Sequence, residues 1–368
     1  MRRYLLFVLI SVISFNAFSQ NRYNITGIVK DETGKPVKSA TVFISGSEKV
    51  TISAENGYFS LGNLLPGNYQ VSVSMLGYAS LTKPVMLQNK QVDITLTLAT
   101  RSIVLSTVKV GSKGAWAKNY SVFKEQFLGQ TQNGRQCIIL NPEVLSFGTT
   151  NTTLNAEAED FLIIENKRLG YRIRYRLKYF NYQVNSQNLG YDGEASFEQM
   201  DAKANPKNEW AQNRLEAYNG SLMHFLRSAY NNSVLKQGFL AYRVNKESTR
   251  FTMGAGKYTE LAIDKRPIKF DTVVTIIDDS FISLAATHLY VTYNPKAAAK
   301  VKTSLDVPKL DVTTLDDGST LKFYLNKAII DSRGSYADYR TFLIKGDWAK
   351  IRIGDKLPFE YSPIAMPN

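Results

Sequence analysis

The sequence predicts a mainly β protein: a small N-terminal β-sandwich, then a larger β-rich α+β domain with one prominent amphipathic helix. Three observations support this fold class. Apolar and polar residues alternate with a period of two in short segments over residues 23–100. Turn-forming residues separate those segments. The 368 residues, 44% hydrophobic and 21% charged, suffice for two domains or three and exclude a wholly disordered chain.

The first twenty residues predict a signal peptide (residues 1–20). Arg2 and Arg3 form a basic start, residues 4–13 form an apolar region with one serine, and residues 17–19 (Ala-Phe-Ser) fit the small-x-small cleavage rule, with Gln20 or so as the new N-terminus. Polar residues interrupt the apolar run too early for a membrane span of about 20 residues. We therefore expect an exported protein, in the periplasm, at the outer-membrane periphery or secreted, with no transmembrane segment after cleavage.

The strands of the first domain (residues 21–100) are visible as alternation. Apolar side chains alternate with polar ones at Tyr69, Val71, Val73 and Met75, and again at Ile94, Leu96 and Leu98. Turn sequences stand between the segments at residues 31–36, 56–57 and 66–67. Since no helical periodicity appears, we expect an antiparallel sandwich of about 75 residues.

The order of these motifs resembles a known family. The motifs are Ile-Thr-Gly-Ile-Val at 25–29, Asp-Glu-Thr-Gly-Lys-Pro-Val at 31–37, Asn-Gly-Tyr-Phe-Ser-Leu at 56–61, Leu-Leu-Pro-Gly-Asn-Tyr at 64–69 and Leu-Gly-Tyr at 76–78. They look like the carboxypeptidase regulatory-like domain, a seven-stranded transthyretin-like (prealbumin-like) sandwich. That domain is common in exported envelope proteins of the Bacteroidota. The resemblance implies a fold but no activity, because in the name-giving enzymes this module carries none of the zinc ligands.

Composition excludes several kinds of site. The single cysteine, Cys137, excludes an intrachain disulfide and a Cys-based zinc site. Neither His224 nor His288 begins an H-E-x-x-H arrangement, so the ligand motifs of a zinc carboxypeptidase are absent and we expect no metal or cofactor. The net charge of +13 invites a polyanionic partner. The predicted export argues against nucleic acid.

The second domain is predicted at residues 116–368, after a linker strand at 101–115. We expect a helix from Trp116 to Gly129, a longer helix from Pro206 to Tyr230, and an extended tail over residues 357–363 that docks on the last sheet. Gly220 lies in the middle of the longer helix, so either the helix breaks there or another segment packs closely against it. The domain resembles uncharacterised regions that follow the regulatory-like domain, and this resemblance implies no activity.

A strand after Gly170 carries four cations of one parity. Arg172, Arg174, Arg176 and Lys178 alternate with apolar residues, which places them in a row on one sheet face about 6.5–7 Å apart. Such a row is a candidate site for an anionic polymer or a lipid headgroup, since guanidinium groups bind phosphate and carboxylate well. The alternative is a solvated face whose charges are balanced by acidic residues on neighbouring strands.

A second candidate lies on the longer helix. Ser221 and His224 are three residues apart, close enough to hydrogen-bond on a helix, and Arg214 shares their flank. A serine beside a base is the minimum of a nucleophilic site. No G-x-S-x-G motif surrounds Ser221, and the alternative is a structural histidine on a packed helix.

These observations leave two functions open. The first is an exported, non-catalytic binding or scaffold protein of the cell envelope, whose partner is a protein, a polysaccharide or an anionic lipid surface. The alternative is a hydrolase of unrecognised type that uses the flank of Arg214, Ser221 and His224. Catalysis is the less favoured of the two, because no established catalytic motif is present.

Overall fold

The structure is a computed structural model that describes residues 21–101, 113–201, 206–252, 256–264, 266–301, 310–315 and 318–363. The predicted signal peptide and most of the predicted linker strand lie outside these residues. Among the described helices, none combines the length and the apolar character needed to cross a membrane.

The N-terminal region is the predicted seven-stranded sandwich. Its strands are Tyr23–Asp31 (β1), Thr41–Ile44 (β2), Val50–Ile52 (β3), Tyr58–Leu64 (β4), Gly67–Ser74 (β5), Leu81–Leu87 (β6) and Val92–Leu98 (β7). One sheet has the order β4-β1-β7, with β1 antiparallel to β4 and parallel to β7, and the other has the order β3-β2-β5-β6. Of the alternating apolar residues predicted from the sequence, Val71, Val73 and Leu96 are fully buried between the two sheets, and Met75 at the end of the series is half-buried.

The second region begins with a helix packed on a six-stranded sheet. Its elements are the helices Lys113–Leu128 (α1) and Gln132–Arg135 (α2) and the strands Cys137–Ile139 (β8), Leu145–Thr149 (β9), Thr153–Ala158 (β10), Leu162–Asn166 (β11), Tyr171–Gln183 (β12) and Asn188–Gln199 (β13). The order is β8-β11-β12-β10-β9, and β13 pairs with the other edge of the long β12. Phe123 and Phe127 of α1 are fully buried against this sheet, with the Phe127 ring 5.0 Å from that of Tyr175.

The helix predicted over 206–230 is two helices, Pro206–Tyr218 (α3) and Leu222–Tyr230 (α4). Both possibilities raised by Gly220 occur together. Gly220 has a φ of +76°, so the helix ends there, and a Cβ at this position would lie 2.9 Å from the Tyr293 ring. The amphipathic helix is α4, whose Phe225, Leu226 and Ala229 are buried.

The remaining strands form two sheets. They are Phe239–Thr252 (β14), Gly256–Asp264 (β15), Val274–Ile276 (β16), Phe281–Leu284 (β17), His288–Tyr293 (β18), Leu310–Thr314 (β19), Ser319–Phe323 (β20), Ala328–Asp331 (β21) and Phe342–Gly346 (β22), with the short helices Pro295–Ala298 (α5) and Asp347–Lys350 (α6). The sheet orders are β19-β15-β14-β18-β20-β22 and β16-β17-β21. Helix α4 packs with both sheets in one hydrophobic cluster around Phe225, Phe239 and Ile330. The predicted fold class, mainly β with a sandwich and a larger β-rich α+β part, is confirmed.

The C-terminal tail docks against the N-terminal sandwich, so the prediction that it docks on the last sheet is wrong. The main-chain N–H of Phe359 donates to the carbonyl of Gly46 at 2.8 Å. The Ser47 hydroxyl donates to the Glu360 carboxylate at 2.5 Å. Arg227 of α4 holds the other side of the tail by donating to the carbonyls of Phe359 and Tyr361 at 2.9 and 2.7 Å. The tail therefore joins the sandwich to α4.

Candidate functional site

The four cations of the basic strand lie on one face of β12, opposite the buried residues of that strand. Three of them have partners. The Arg172 guanidinium donates to the Glu165 carboxylate at 2.9 Å, and Lys178 forms ion pairs with Asp192 and Glu194. Arg176 donates to the Ser80 hydroxyl at 3.0 Å and to the carbonyl of Glu159 at 3.1 Å.

Arg174 is exposed, and the structure gives it no partner within the described part of the chain. The face therefore matches the alternative of charges balanced by neighbouring strands more closely than a continuous row of free cations. The anion-binding role of this strand stays a prediction, and Arg174 is the residue on which it now depends.

The sandwich covers part of the β12–β13 surface. Gly46 donates its N–H to the carbonyl of Ala195 at 2.7 Å, and Phe197 donates to the carbonyl of Ser47 at 2.9 Å, so the loop after β2 pairs with the edge of β13. The hydroxyl of Thr82 donates to the Glu194 carboxylate at 2.5 Å. These contacts lie between residues more than a hundred positions apart, and no local sequence pattern indicates them.

Ser221 and His224 lie side by side, but their polar atoms accept hydrogen bonds from main-chain N–H groups at the start of α4. The Ser221 hydroxyl accepts from the main-chain N–H of His224 at 3.1 Å, which makes Ser221 the N-cap of the helix. The His224 Nδ1 accepts from the Gly220 N–H at 3.2 Å, so its Nε2 carries the proton and donates to the Gln237 Oε1 at 3.2 Å. Burial lowers the pKa of His224. Neither ring nitrogen is free to accept a proton from Ser221.

Arg214 is not part of that pair. Its guanidinium donates to the carbonyls of Leu169 and Gly170 at 2.7 and 3.2 Å and lies 4.0 Å from the centre of the Tyr171 ring. It therefore fastens α3 to the start of β12. The break at Gly220 separates α3 from α4, so the shared flank expected of a continuous helix is not formed.

A buried ionic turn attaches the C-terminal region to the sandwich. The Asp331 carboxylate is fully buried and accepts from the Arg333 guanidinium at 2.7 Å and from the main-chain N–H of Asn68 at 2.8 Å. Arg333, only 8% exposed, also donates to the carbonyl of Asn68 at 2.7 Å and lies 3.8 Å from the centre of the Tyr69 ring. Burial raises the pKa of Tyr69 to about 12. The contact joins β5 to the turn after β21.

Beside this turn the sandwich, the two helices and the tail enclose a concave space of about 540 Å³, which we call the junction cleft. Its lining includes Arg22, Lys49 and Tyr69 from the sandwich, Tyr218, Arg227 and Asn231 from the helices, and residues 359–363 of the tail. The sequence analysis missed this site, because its residues are dispersed from position 22 to position 363. The spacing Asp331-Ser332-Arg333-Gly334 repeats the turn spacing at Asp31-Glu32-Thr33-Gly34, which indicates a turn at this position but not the cleft.

Metal-binding side chains do not gather in the described residues: no group of three or more His, Cys, Asp or Glu side chains there could hold an ion. His288 is buried with its Nε2 3.9 Å from the Glu247 carboxylate, and burial lowers its pKa. The Cys137 thiol is buried, and burial raises its pKa to about 12, so it is not a reactive nucleophile at neutral pH.

Several solved structures match part of this chain at low similarity. A 3-chlorocatechol 1,2-dioxygenase from Rhodococcus opacus is 14% identical over 23% of this chain and 61% of its own, with a TM-score of 0.19. A DUF3823 family protein from Bacteroides ovatus is 8% identical over 66% of this chain and 90% of its own, with a TM-score of 0.19. A proposed carbohydrate-binding protein from Bacteroides uniformis is 8% identical over 66% and 89%, with a TM-score of 0.18. The chain spans 56–61% of the first four solved chains that it matches.

The sandwich itself has a family. The model of the carboxypeptidase regulatory-like domain matches residues 24–99, the segment that contains β1 to β7 and the motifs quoted from the sequence. The match confirms the resemblance stated from the sequence. It assigns no binding or catalytic role to the glycines and aromatic residues of the matched motifs. Residues 24–99 are a carboxypeptidase regulatory-like domain.

Proposed function

We propose that this protein is an exported, non-catalytic binding protein of the cell envelope, and that it holds its ligand in the junction cleft. The cleft of about 540 Å³ carries this proposal. Ligand sites are concave spaces of about 300–1,000 Å³ that occur preferentially where domains meet. Here the sandwich, α4 and the tail each supply a wall, and the contacts of Asp331 and Arg227 hold these walls in place.

Two further observations support binding over catalysis. The Ser221 hydroxyl and both ring nitrogens of His224 are used in capping and holding α4, which leaves no base to activate the serine. The export and envelope parts of the proposal depend on the signal-peptide pattern of the first twenty residues.

The test is retention of envelope material by the mature chain, residues 21–368, compared between two tryptophan variants. Asn231→Trp places an indole in the cleft, since Asn231 is exposed and lines it. Leu76→Trp adds the same side chain to an exposed turn after β5, at the other end of that strand from the cleft-lining Tyr69. Thermal unfolding checks that both variants fold as the parent does.

We expect the parent and Leu76→Trp to retain the same envelope component at low salt and Asn231→Trp to lose it. Equal retention by both variants would place the contact elsewhere, with Arg174 of the basic strand as the next residue to neutralise. No retention by any of them would contradict the binding function and favour the hydrolase alternative. Export is tested separately, by N-terminal sequencing of the protein from the envelope fraction, with Gln20 or Asn21 as the expected first residue.

A further inference from the structure

The junction cleft carries a net positive charge. Four basic side chains line it, at Arg22, Lys49, Arg227 and Arg333, together with one carboxylate, that of Glu360. The charge of Arg333 is balanced by the buried Asp331, so the excess comes from the other three cations. The Glu360 carboxylate already accepts from the Ser47 hydroxyl at 2.5 Å and from the main-chain N–H of Glu48 at 3.0 Å. The cleft therefore presents an electrostatic environment for an anion.

Two of these cations, Arg22 and Lys49, have donors left for a ligand. The other two, Arg227 and Arg333, are used in holding the tail and the sandwich. The exposed Arg22 donates to the carbonyl of Asn63 at 3.2 Å from one of its nitrogens, which leaves most of its guanidinium donors free. Lys49 forms no ion pair or hydrogen bond through its ammonium with any residue that the structure describes.

The walls of the cleft are aromatic. Phe359 and Tyr361 are half-buried in the tail, and the Tyr361 ring lies 5.5 Å from that of Tyr218. Aromatic rings provide flat apolar surfaces, and tyrosine adds a polar edge. A ligand with a flat, partly apolar body and polar edges matches these walls.

Several main-chain groups around the cleft are already paired. The carbonyls of Asn63 and Leu65 accept from Arg22 and from the Tyr69 hydroxyl. In the tail, the Phe359 N–H and the carbonyls of Phe359 and Tyr361 are bonded to Gly46 and Arg227. An extended peptide that adds as a strand needs free main-chain groups, and the pairing of these groups leaves fewer of them, so we assign most of the recognition to side chains. The concave shape likewise disfavours the flat surface of a lipid bilayer.

We propose that the junction cleft binds an acidic saccharide, with the negatively charged group of the sugar at Arg22 and Lys49 and the ring against Phe359 and Tyr361. This inference rests on the proposed function and narrows its ligand class. The charged group can be a carboxylate or a sulfate, since a guanidinium and an ammonium bind both.

The test is isothermal titration of the mature protein with tetragalacturonate, its neutral methyl ester, a sulfated tetrasaccharide and hexaglutamate, together with sedimentation on phosphatidylglycerol vesicles. The variant is Arg22→Gln with Lys49→Gln. The matched control is Lys35→Gln with Lys38→Gln, which removes two exposed charges at the opposite end of the sandwich from Arg22.

We expect at least one acidic saccharide to bind, and the cleft variant and the methyl ester each to weaken binding by about tenfold or more, while the control variant leaves it unchanged. Binding of neither acidic saccharide, equal binding of the methyl ester, or stronger binding to hexaglutamate or vesicles would overturn the inference. If the methyl ester binds as tightly and Asn231→Trp abolishes its binding, the cleft is a ligand site and only the acidic class is wrong.

Discussion

Asp331 is the residue whose loss most directly tests how the sandwich is attached to the rest of the chain. Its buried carboxylate accepts four hydrogen bonds, from the N–H groups of Asn68, Arg333 and Ser335 and from the Arg333 guanidinium, at 2.7–3.1 Å. In Asp331→Ala the guanidinium of Arg333, 8% exposed, loses its carboxylate and stays buried. Breaking a buried ion pair in this way costs about 3–5 kcal/mol. We therefore expect the free energy of unfolding to fall by about that amount, a large part of the roughly 5–15 kcal/mol typical of a protein.

The chain contains a matched control for this experiment. Asp31 forms the same kind of turn, accepting from the N–H groups of Thr33 and Lys35 at 2.9 and 3.0 Å, but with no arginine beside it and no second region to hold. Asp31→Ala should therefore lower the free energy of unfolding much less. Urea unfolding of the mature chain, followed by circular dichroism, measures both variants. If Asp331→Ala costs no more than Asp31→Ala, the buried pair does not hold the junction together, and the reasoning is refuted.

Three further predictions concern the helices and the histidines. Gly220→Ala should cost about 1–3 kcal/mol in unfolding free energy, because a Cβ there would lie 2.9 Å from the Tyr293 ring at a φ of +76°; an unchanged urea midpoint would contradict this. Ser221→Ala should lower the free energy of unfolding by about 1 kcal/mol because the N-cap is lost, while Ser221→Asp keeps most of the stability. If Ser221→Ala instead abolished a hydrolytic activity without destabilising the protein, the result would support the hydrolase alternative. Burial lowers the pKa of His224 and His288 below the ordinary 6.5, so the unfolded chain binds protons first and stability should fall as pH drops below that value. Urea unfolding at about pH 7.5 and pH 5.5 checks this, and the double variant His224→Gln with His288→Gln should show a smaller loss.

The sandwich was predictable because its information is local. The alternation at Val71 and Val73 fixes which side of β5 faces the core, and glycine-containing turns such as Asp31–Gly34 limit where strands end. Both valines are 0% exposed, which confirms that this side of β5 faces the core. The family match at residues 24–99 reflects the same local regularity.

The longer helix shows where local information ends. The sequence identified Gly220 as a weak point but left open whether the helix breaks or packs closely. The outcome depends on Tyr293, a residue of β18 that is brought against the glycine by the tertiary fold. The same holds for Ser221 and His224, whose spacing indicated a contact correctly while the direction of their hydrogen bond depended on where the helix begins.

The candidate sites likewise depend partly on local sequence and partly on contacts that only the tertiary fold makes. Spacing correctly placed Arg172, Arg174, Arg176 and Lys178 on one face, but their partners Glu194 and Ser80 come from a neighbouring strand and from the sandwich. The junction cleft has no local sequence pattern, because its lining residues, such as Arg22 and Tyr361, come from opposite ends of the described chain.

Whether a cation serves the fold or a ligand depends on the acceptors that folding brings to it. The chain has 45 basic and 32 acidic side chains, so some basic side chains have no acidic partner. The densest basic run, on β12, lies among Glu165, Asp192 and Glu194 and is largely neutralised within the molecule. Arg22 and Lys49 stand far apart in sequence, yet they line a cleft whose one carboxylate is already bonded to Ser47 and Glu48. Charge that is unbalanced in a concave site, rather than charge that is dense in sequence, is what makes the junction the stronger candidate for ligand binding.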